Sequence, residues 1–126
     1  MCSDARMKRT LTPFLLAASA AALLLPSSAL ARSKYCSASG DVCYQAKGSP
    51  IKLQLATAAR YFSRYRLCIT DPHGTRECHR FLMHTAGGGS YSSTVSWPKH
   101  YKYGGKGTYH ARWYAHGKAL GPRVAF

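Results

Sequence analysis

The chain has 126 residues, 18 Lys+Arg against 4 Asp+Glu, and a formal net charge of +14 at pH 7. That length fits one domain, and so few acids leave no carboxylate pair for glycoside hydrolysis. The basic excess favours anionic partners.

Residues 1–31 read as an export signal. Arg6, Lys8 and Arg9 precede the apolar run Leu11 to Leu25. Pro26, Ser27 and Ser28 then lead to the small-x-small site Ala29-Leu30-Ala31. Positive start, apolar core and small-residue cut site are what secretion requires. A retained anchor is the alternative, since a spanning helix needs about 20 residues. Pro13, Pro26 and the two serines interrupt this one. No small-residue-then-Cys lipid attachment pattern marks the cut site. The mature chain would begin at Arg32 and run for 95 residues, secreted or held at the cell wall. It keeps 15 basic residues and the carboxylates Asp41, Asp71 and Glu77, a net charge of +12.

Cys2 leaves with the signal, and Cys36, Cys43, Cys68 and Cys78 remain. A small exported domain is marginal on its hydrophobic core alone, and an even cysteine count reads as disulfides. Three pairings exist. Proximity in sequence favours Cys36–Cys43 and Cys68–Cys78, and the second pair flanks a turn. Each bridge is worth about 2–3 kcal/mol by loop entropy. Four thiolates on zinc would need paired C-x-x-C spacing, which is missing.

A short segment, 32–40, precedes a domain spanning 41–126. Within it, period-two alternation predicts seven strands at about 41–47, 50–57, 64–70, 75–84, 90–97, 108–115 and 118–126. Ile51, Leu53 and Leu55 alternate with Lys52 and Gln54; Tyr109, Ala111 and Trp113 alternate with His110 and Arg112. Turn signals separate the strands at Gly48-Ser49-Pro50, Asp71-Pro72-His73-Gly74, Gly87-Gly88-Gly89, Gly104-Gly105 and His116-Gly117. Leu55, Ala58, Ala59 and Phe62 also share a helical face, but the segment reads as a strand end plus loop. Seven short strands in this length indicate an antiparallel β-sandwich.

Asp71-Pro72-His73-Gly74 suits a type I turn. Pairing Cys68 with Cys78 across it sets Leu67 opposite His79 and Arg66 opposite Arg80. The disulfide then lies on the outer surface of a hairpin. His79 and Glu77 turn inward, which implies a bulge or an edge strand.

Gly107-Thr108-Tyr109-His110-Ala111-Arg112-Trp113 resembles the penultimate strand of immunoglobulin-like and fibronectin-III-like domains. The resemblance implies a seven-stranded antiparallel immunoglobulin-like β-sandwich over residues 41–126, here with two local disulfides. It also implies that Tyr109 hydrogen-bonds back to the preceding loop and that Trp113 packs in the core. The inter-sheet Cys…Trp…Cys spacing of antibody domains is absent. The hairpin disulfide is similar in span to one in the enediyne antibiotic apoproteins. Those are acidic, so their ligand does not carry over. As a whole the chain resembles small exported proteins of unknown role from high-GC bacteria.

Four features bear on function. In such a sandwich the third, fourth, sixth and seventh strands can share a sheet. Its outer face would carry Arg64, Arg66, Arg80, Arg112 and Arg123, with His110 and Tyr114 among them. Like charges directly opposite, as at Arg66 and Arg80, destabilise a strand pair, and an anionic partner would remove that penalty. The plain alternative is a solvated face that serves solubility. Second, Lys99, Tyr101, Lys102, Tyr103 and Lys106 interleave charge with flat rings in a Gly-rich loop. Sugars, bases and phosphate polymers use such surfaces; an ordinary loop packed on the sandwich edge is the alternative.

Third, His73, His79, His84, His100, His110 and His116 show no metal-ligand spacing, and nothing calls for a cofactor. Fourth, the best enzyme case is a small ribonuclease using Glu77, His79 or His110, and Arg80 or Arg112. Any basic His-containing chain would supply that cast, and no nucleophile motif supports it. The sequence therefore reads as a non-catalytic binding module. Its expected partner is an anionic polymer: cell wall, acidic polysaccharide or extracellular nucleic acid. A protein-interaction module or secreted inhibitor is the competing class, recognisable if Tyr101, Tyr103 and Tyr114 form one exposed patch.

Overall fold

The computed structural model describes residues 33–126, so the signal reading of residues 1–31 lies outside the described residues. Two antiparallel sheets pack face to face in a sandwich-like arrangement. The first has the order β1-β2-β3-β7-β6. These are Lys34–Cys36, Val42–Lys47, Lys52–Thr57, Ser90–Ser96 and His84–Gly87 respectively. The second has the order β10-β8-β4-β5, with β9 paired to β8. These are Val124–Ala125, His110–Ala115, Arg64–Thr70 and Arg76–Leu82, with β9 at Lys118–Ala119.

Alternation builds the core. Tyr44 and Ala46 of β2, Leu53 and Leu55 of β3, and Val95 of β7 are buried from the first sheet. Tyr65, Leu67 and Ile69 of β4 and Ala111, Trp113 and Ala115 of β8 are buried from the second. Trp113 stacks on Tyr44 across the gap, with ring centroids 4.4 Å apart. The Tyr44 hydroxyl donates to the Pro122 carbonyl, and the Tyr65 hydroxyl donates to Ser93 Oγ at 2.7 Å.

The strand count is ten among the described residues, not seven. The expected strand 75–84 divides at Met83, because β5 and β6 belong to different sheets. The expected strand 118–126 divides at Gly121-Pro122, where proline has no N–H to donate. An additional strand, β1, forms in segment 32–40 and pairs with β2. A short helix α1, Trp97–His100, follows β7 with Pro98 in its first turn. Residues 58–63 are loop, and Phe62 is buried within it.

Both disulfides, Cys36–Cys43 and Cys68–Cys78, link facing positions of neighbouring strands. The hairpin turn is fixed by Asp71. Its Oδ1 accepts the N–H groups of His73 at 2.9 Å and Thr75 at 2.8 Å, while Gly74 takes φ 86°. The inward turn of Glu77 and His79 is resolved by position: β5 is the sheet's edge, and its register with β4 runs without a bulge.

Candidate functional site: an arginine face around Tyr114

One side of each strand in the second sheet is committed to the core, so the other is set for solvent. On that outer side Arg64 and Arg66 project from β4, Arg76 and Arg80 from β5, and Arg112 from β8. Arg123 immediately precedes β10. All six are exposed. Register packs them closely. Arg66 faces Arg80 on one side and Tyr114 on the other, while Cys68 faces Cys78 and Arg112.

Tyr114 is the focus of this surface. The guanidinium carbons of Arg66, Arg76 and Arg112 lie 5.2, 5.4 and 5.8 Å from its ring centroid. Each such contact is worth about 0.5–1 kcal/mol at an exposed site. Beside it a hollow of about 330 Å³ is lined by Arg64, Arg66, Arg80, Tyr114 and the His116-Gly117 turn. Both turn residues have positive φ, 52° and 75°, the requirement of a tight type I′ hairpin.

The carboxylates are engaged elsewhere. Asp41 accepts from the Tyr61 hydroxyl at 3.0 Å, and Asp71 is held in its turn. Glu77 accepts the Lys102 N–H at 3.0 Å and pairs with His79 at 3.3 Å. The Lys102 N–H, and then His79, hold the Glu77 carboxyl below its ordinary value. Among the described residues His79–Glu77 is the only ion pair, so no arginine meets a carboxylate. Instead Arg112 Nε donates to Gly121 O at 3.3 Å, and Arg76 Nη2 donates to Cys68 Sγ at 3.4 Å. Burial, and then the charge of Arg123, hold His110 below its usual value.

The lysine–tyrosine loop is placed differently. Tyr101 is 6% exposed and donates its hydroxyl to Leu67 O at 2.6 Å. It offers no free stacking surface. Tyr103 is 67% exposed. Together with Lys106, Trp97, Tyr109 and Phe126 it borders a second hollow of about 280 Å³. Lys99 sits in the last turn of α1, and Lys102 is tied by its backbone to Glu77. Tyr101 and Lys102 meet the inner side of β5, the parity of Glu77 and His79, rather than the arginine side. Tyr101, Tyr103 and Tyr114 therefore do not form one exposed patch.

Tyr109 donates its hydroxyl to Gly105 O at 2.7 Å and accepts the Gly104 N–H at 2.9 Å. Trp113 is fully buried. The ribonuclease cast is split: Glu77 and His79 lie on the inner parity of β5, whereas Arg80, His110 and Arg112 lie on the outer parity. Among the described residues no three His, Cys, Asp or Glu side chains gather into a metal-binding set. Two features add to what alternation alone singled out. Arg76 shares the parity of Arg80 and was available to the same argument. The convergence on Tyr114 depends on the β4–β8 register, which no local motif encodes.

The two disulfides fit an oxidising compartment, and among the described residues no helix is long and apolar enough to cross a membrane. No protein-family model matches the chain, and no curated protein or solved structure matches it. What the fold and face define is an all-β protein of two antiparallel sheets with two disulfides and one strongly basic surface.

Proposed function

We propose that this chain is an exported immunoglobulin-like β-sandwich that binds an anionic polymer outside the cell and catalyses nothing. The partner is a cell-wall polymer, an acidic polysaccharide or extracellular nucleic acid. One observation carries the reading: six arginines occupy the outer face of one sheet, and none has a carboxylate partner among the described residues. A face of like charges without counter-charges is a standing cost to the free protein. A polyanion offsets it and releases its own counterions on binding. The hydroxyl bond of Tyr109 back to its preceding loop and the buried Trp113 support the immunoglobulin-like assignment, with β2-β3-β7-β6 and β5-β4-β8-β10 as its two sheets. The export reading rests on the signal pattern of residues 1–31 and on the disulfides.

The test is retention of oxidised 32–126 on purified cell walls, heparin and DNA across a salt gradient. It runs beside a variant with Arg64, Arg66, Arg80 and Arg112 changed to Gln. Salt-sensitive retention that the variant loses supports the reading and ranks the partners. Equal retention by both forms rejects it and leaves a protein-interaction module as the next reading.

A further inference from the structure

The Cys68–Cys78 bond lies inside the arginine face, and its two sulfurs are not equivalent. Cys68 belongs to β4, which is flanked by β8 and β5, and is only 2% exposed. Cys78 belongs to the edge strand β5 and is partly exposed. A thiolate must attack one sulfur in line with the bond it breaks, from the side opposite the leaving sulfur. For attack on Cys78 that side faces outward, past the edge of the sheet. For attack on Cys68 it faces inward along the sheet, toward Arg112 of β8.

The leaving sulfur is prepared as well. Arg76 Nη2 already donates to Cys68 Sγ at 3.4 Å, and Arg112 stands opposite Cys68 on β8. A neighbouring cation lowers a thiol's pKa, and a lower leaving-group pKa speeds thiol–disulfide exchange. The surrounding arginine field also concentrates anionic reactants. Cys36–Cys43 is the internal contrast. Cys36 is exposed on edge strand β1 and shares its parity with Lys34, which lines a hollow with Cys43, but neither β1 nor β2 carries an arginine.

We propose that Cys68–Cys78 is an exchange-active disulfide whose Cys78 is a modification site for anionic small thiols. The thiolate sulfur bonds to Cys78 Sγ, the Cys68–Cys78 bond breaks, and its electron pair leaves on Cys68 as a thiolate held by Arg76. The first product is a mixed disulfide on Cys78 and a reduced Cys68. A second small thiolate attacks the small-thiol sulfur of that mixed disulfide and leaves Cys78 as thiolate. The protein is then a dithiol and the small thiol its oxidised dimer. Carboxylates on the adduct would lie among the same arginines, so modification also screens the face. The exchange reading does not require that a polymer binds.

The experiment treats the oxidised protein with glutathione (anionic), 2-mercaptoethanol (neutral) or cysteamine (cationic). The reaction is quenched with acid and adducts are mapped by peptide mass. Rates are normalised to those of each thiolate with an uncharged model disulfide. The expected result is an adduct at Cys78, formed about tenfold faster by glutathione than by cysteamine at low salt. A smaller preference is expected at Cys36–Cys43, where Lys34 and Lys47 are the cations of the two strands. Arg76→Gln and, separately, Arg112→Gln shrink the preference several-fold, and Arg76→Lys restores part of it. Two substitutions are used so that misfolding of one does not decide the outcome. Adduct on Cys68, an equal charge preference at both disulfides, or rates indifferent to both substitutions would overturn the proposal. Adding heparin separates the two readings. Slower exchange at Cys78 supports a polymer on this face. Unchanged exchange with the charge preference intact counts against polymer binding and leaves the exchange site standing.

Discussion

Arg66 and Arg80 stand directly opposite each other on β4 and β5, and on its other side Arg66 faces Tyr114. The pair is asymmetric. The Arg66 guanidinium rests over the Tyr114 ring at 5.2 Å, whereas Arg80 lines the adjoining hollow with no carboxylate partner among the described residues. Like charges facing across a strand pair cost about 0.2–1 kcal/mol.

Arg80→Gln should therefore stabilise the free protein by a few tenths of a kcal/mol. Arg66→Gln should gain less, because it also gives up the contact with Tyr114. Urea midpoints of the two variants check this at low salt. A destabilised Arg80→Gln would mean the arginine contributes packing that outweighs its repulsion.

Polyanion binding should carry a steep salt dependence. Each phosphate neutralised adds about 0.7–0.9 to the slope of log K against log salt. Arg64→Gln and Arg80→Gln, at the hollow, should each reduce that slope by close to one such increment if each meets one phosphate. Titration with a DNA oligomer at several salt concentrations measures it. Replacing Lys99, away from the face, should change the slope far less.

How much of this surface was readable beforehand depended on whether a local feature set the register. The Asp71–Gly74 turn and the Cys68–Cys78 pair fix β4 against β5, so the Arg66–Arg80 opposition follows from sequence alone. The division at Met83 did not follow. Residues 76–87 keep nearly continuous strand character, and only the sheet switch separates β5 from β6. In the sequence Tyr101 reads as a surface ring because it sits between His100 and Lys102. Its burial comes from α1 and the following loop folding over the inner side of β5, where His79 meets its ring at 5.0 Å. That contact joins residues 22 apart with no motif to announce it.

The Tyr65–Ser93 hydrogen bond joins the two sheets through a buried polar pair at 2.7 Å. Burial pushes the Tyr65 hydroxyl up to about 12, so it stays a neutral donor throughout the working range. Ser93→Ala leaves that hydroxyl buried and unpaired, at about 1–3 kcal/mol. Removing both polar groups, Tyr65→Phe with Ser93→Ala, should restore most of the loss. Chemical denaturation of the three variants closes the cycle. Additive losses would show that the two groups do not depend on each other.

Acid should destabilise the fold in two stages with the same sign. His110 is held below its ordinary 6.5 by burial and Arg123, so the folded state favours the neutral ring. That preference contributes fully above the unfolded value and is lost as pH falls from about 6.5 through the lower folded value. Glu77 is held below its ordinary 4.5 by the Lys102 N–H and His79, so the folded state favours the carboxylate. Its contribution is present above 4.5 and is lost as pH falls through the depressed folded value. In both stages the unfolded chain binds more protons, and stability drops as pH falls. Urea midpoints from pH 8 to pH 3 should decline first below about 6.5 and again below about 4.5. His110→Gln should flatten the first decline and Glu77→Gln the second. The Glu77→Gln amide oxygen still accepts the Lys102 N–H, so the flattening reports lost charge rather than a broken loop. A midpoint that rises on acidification would contradict both assignments.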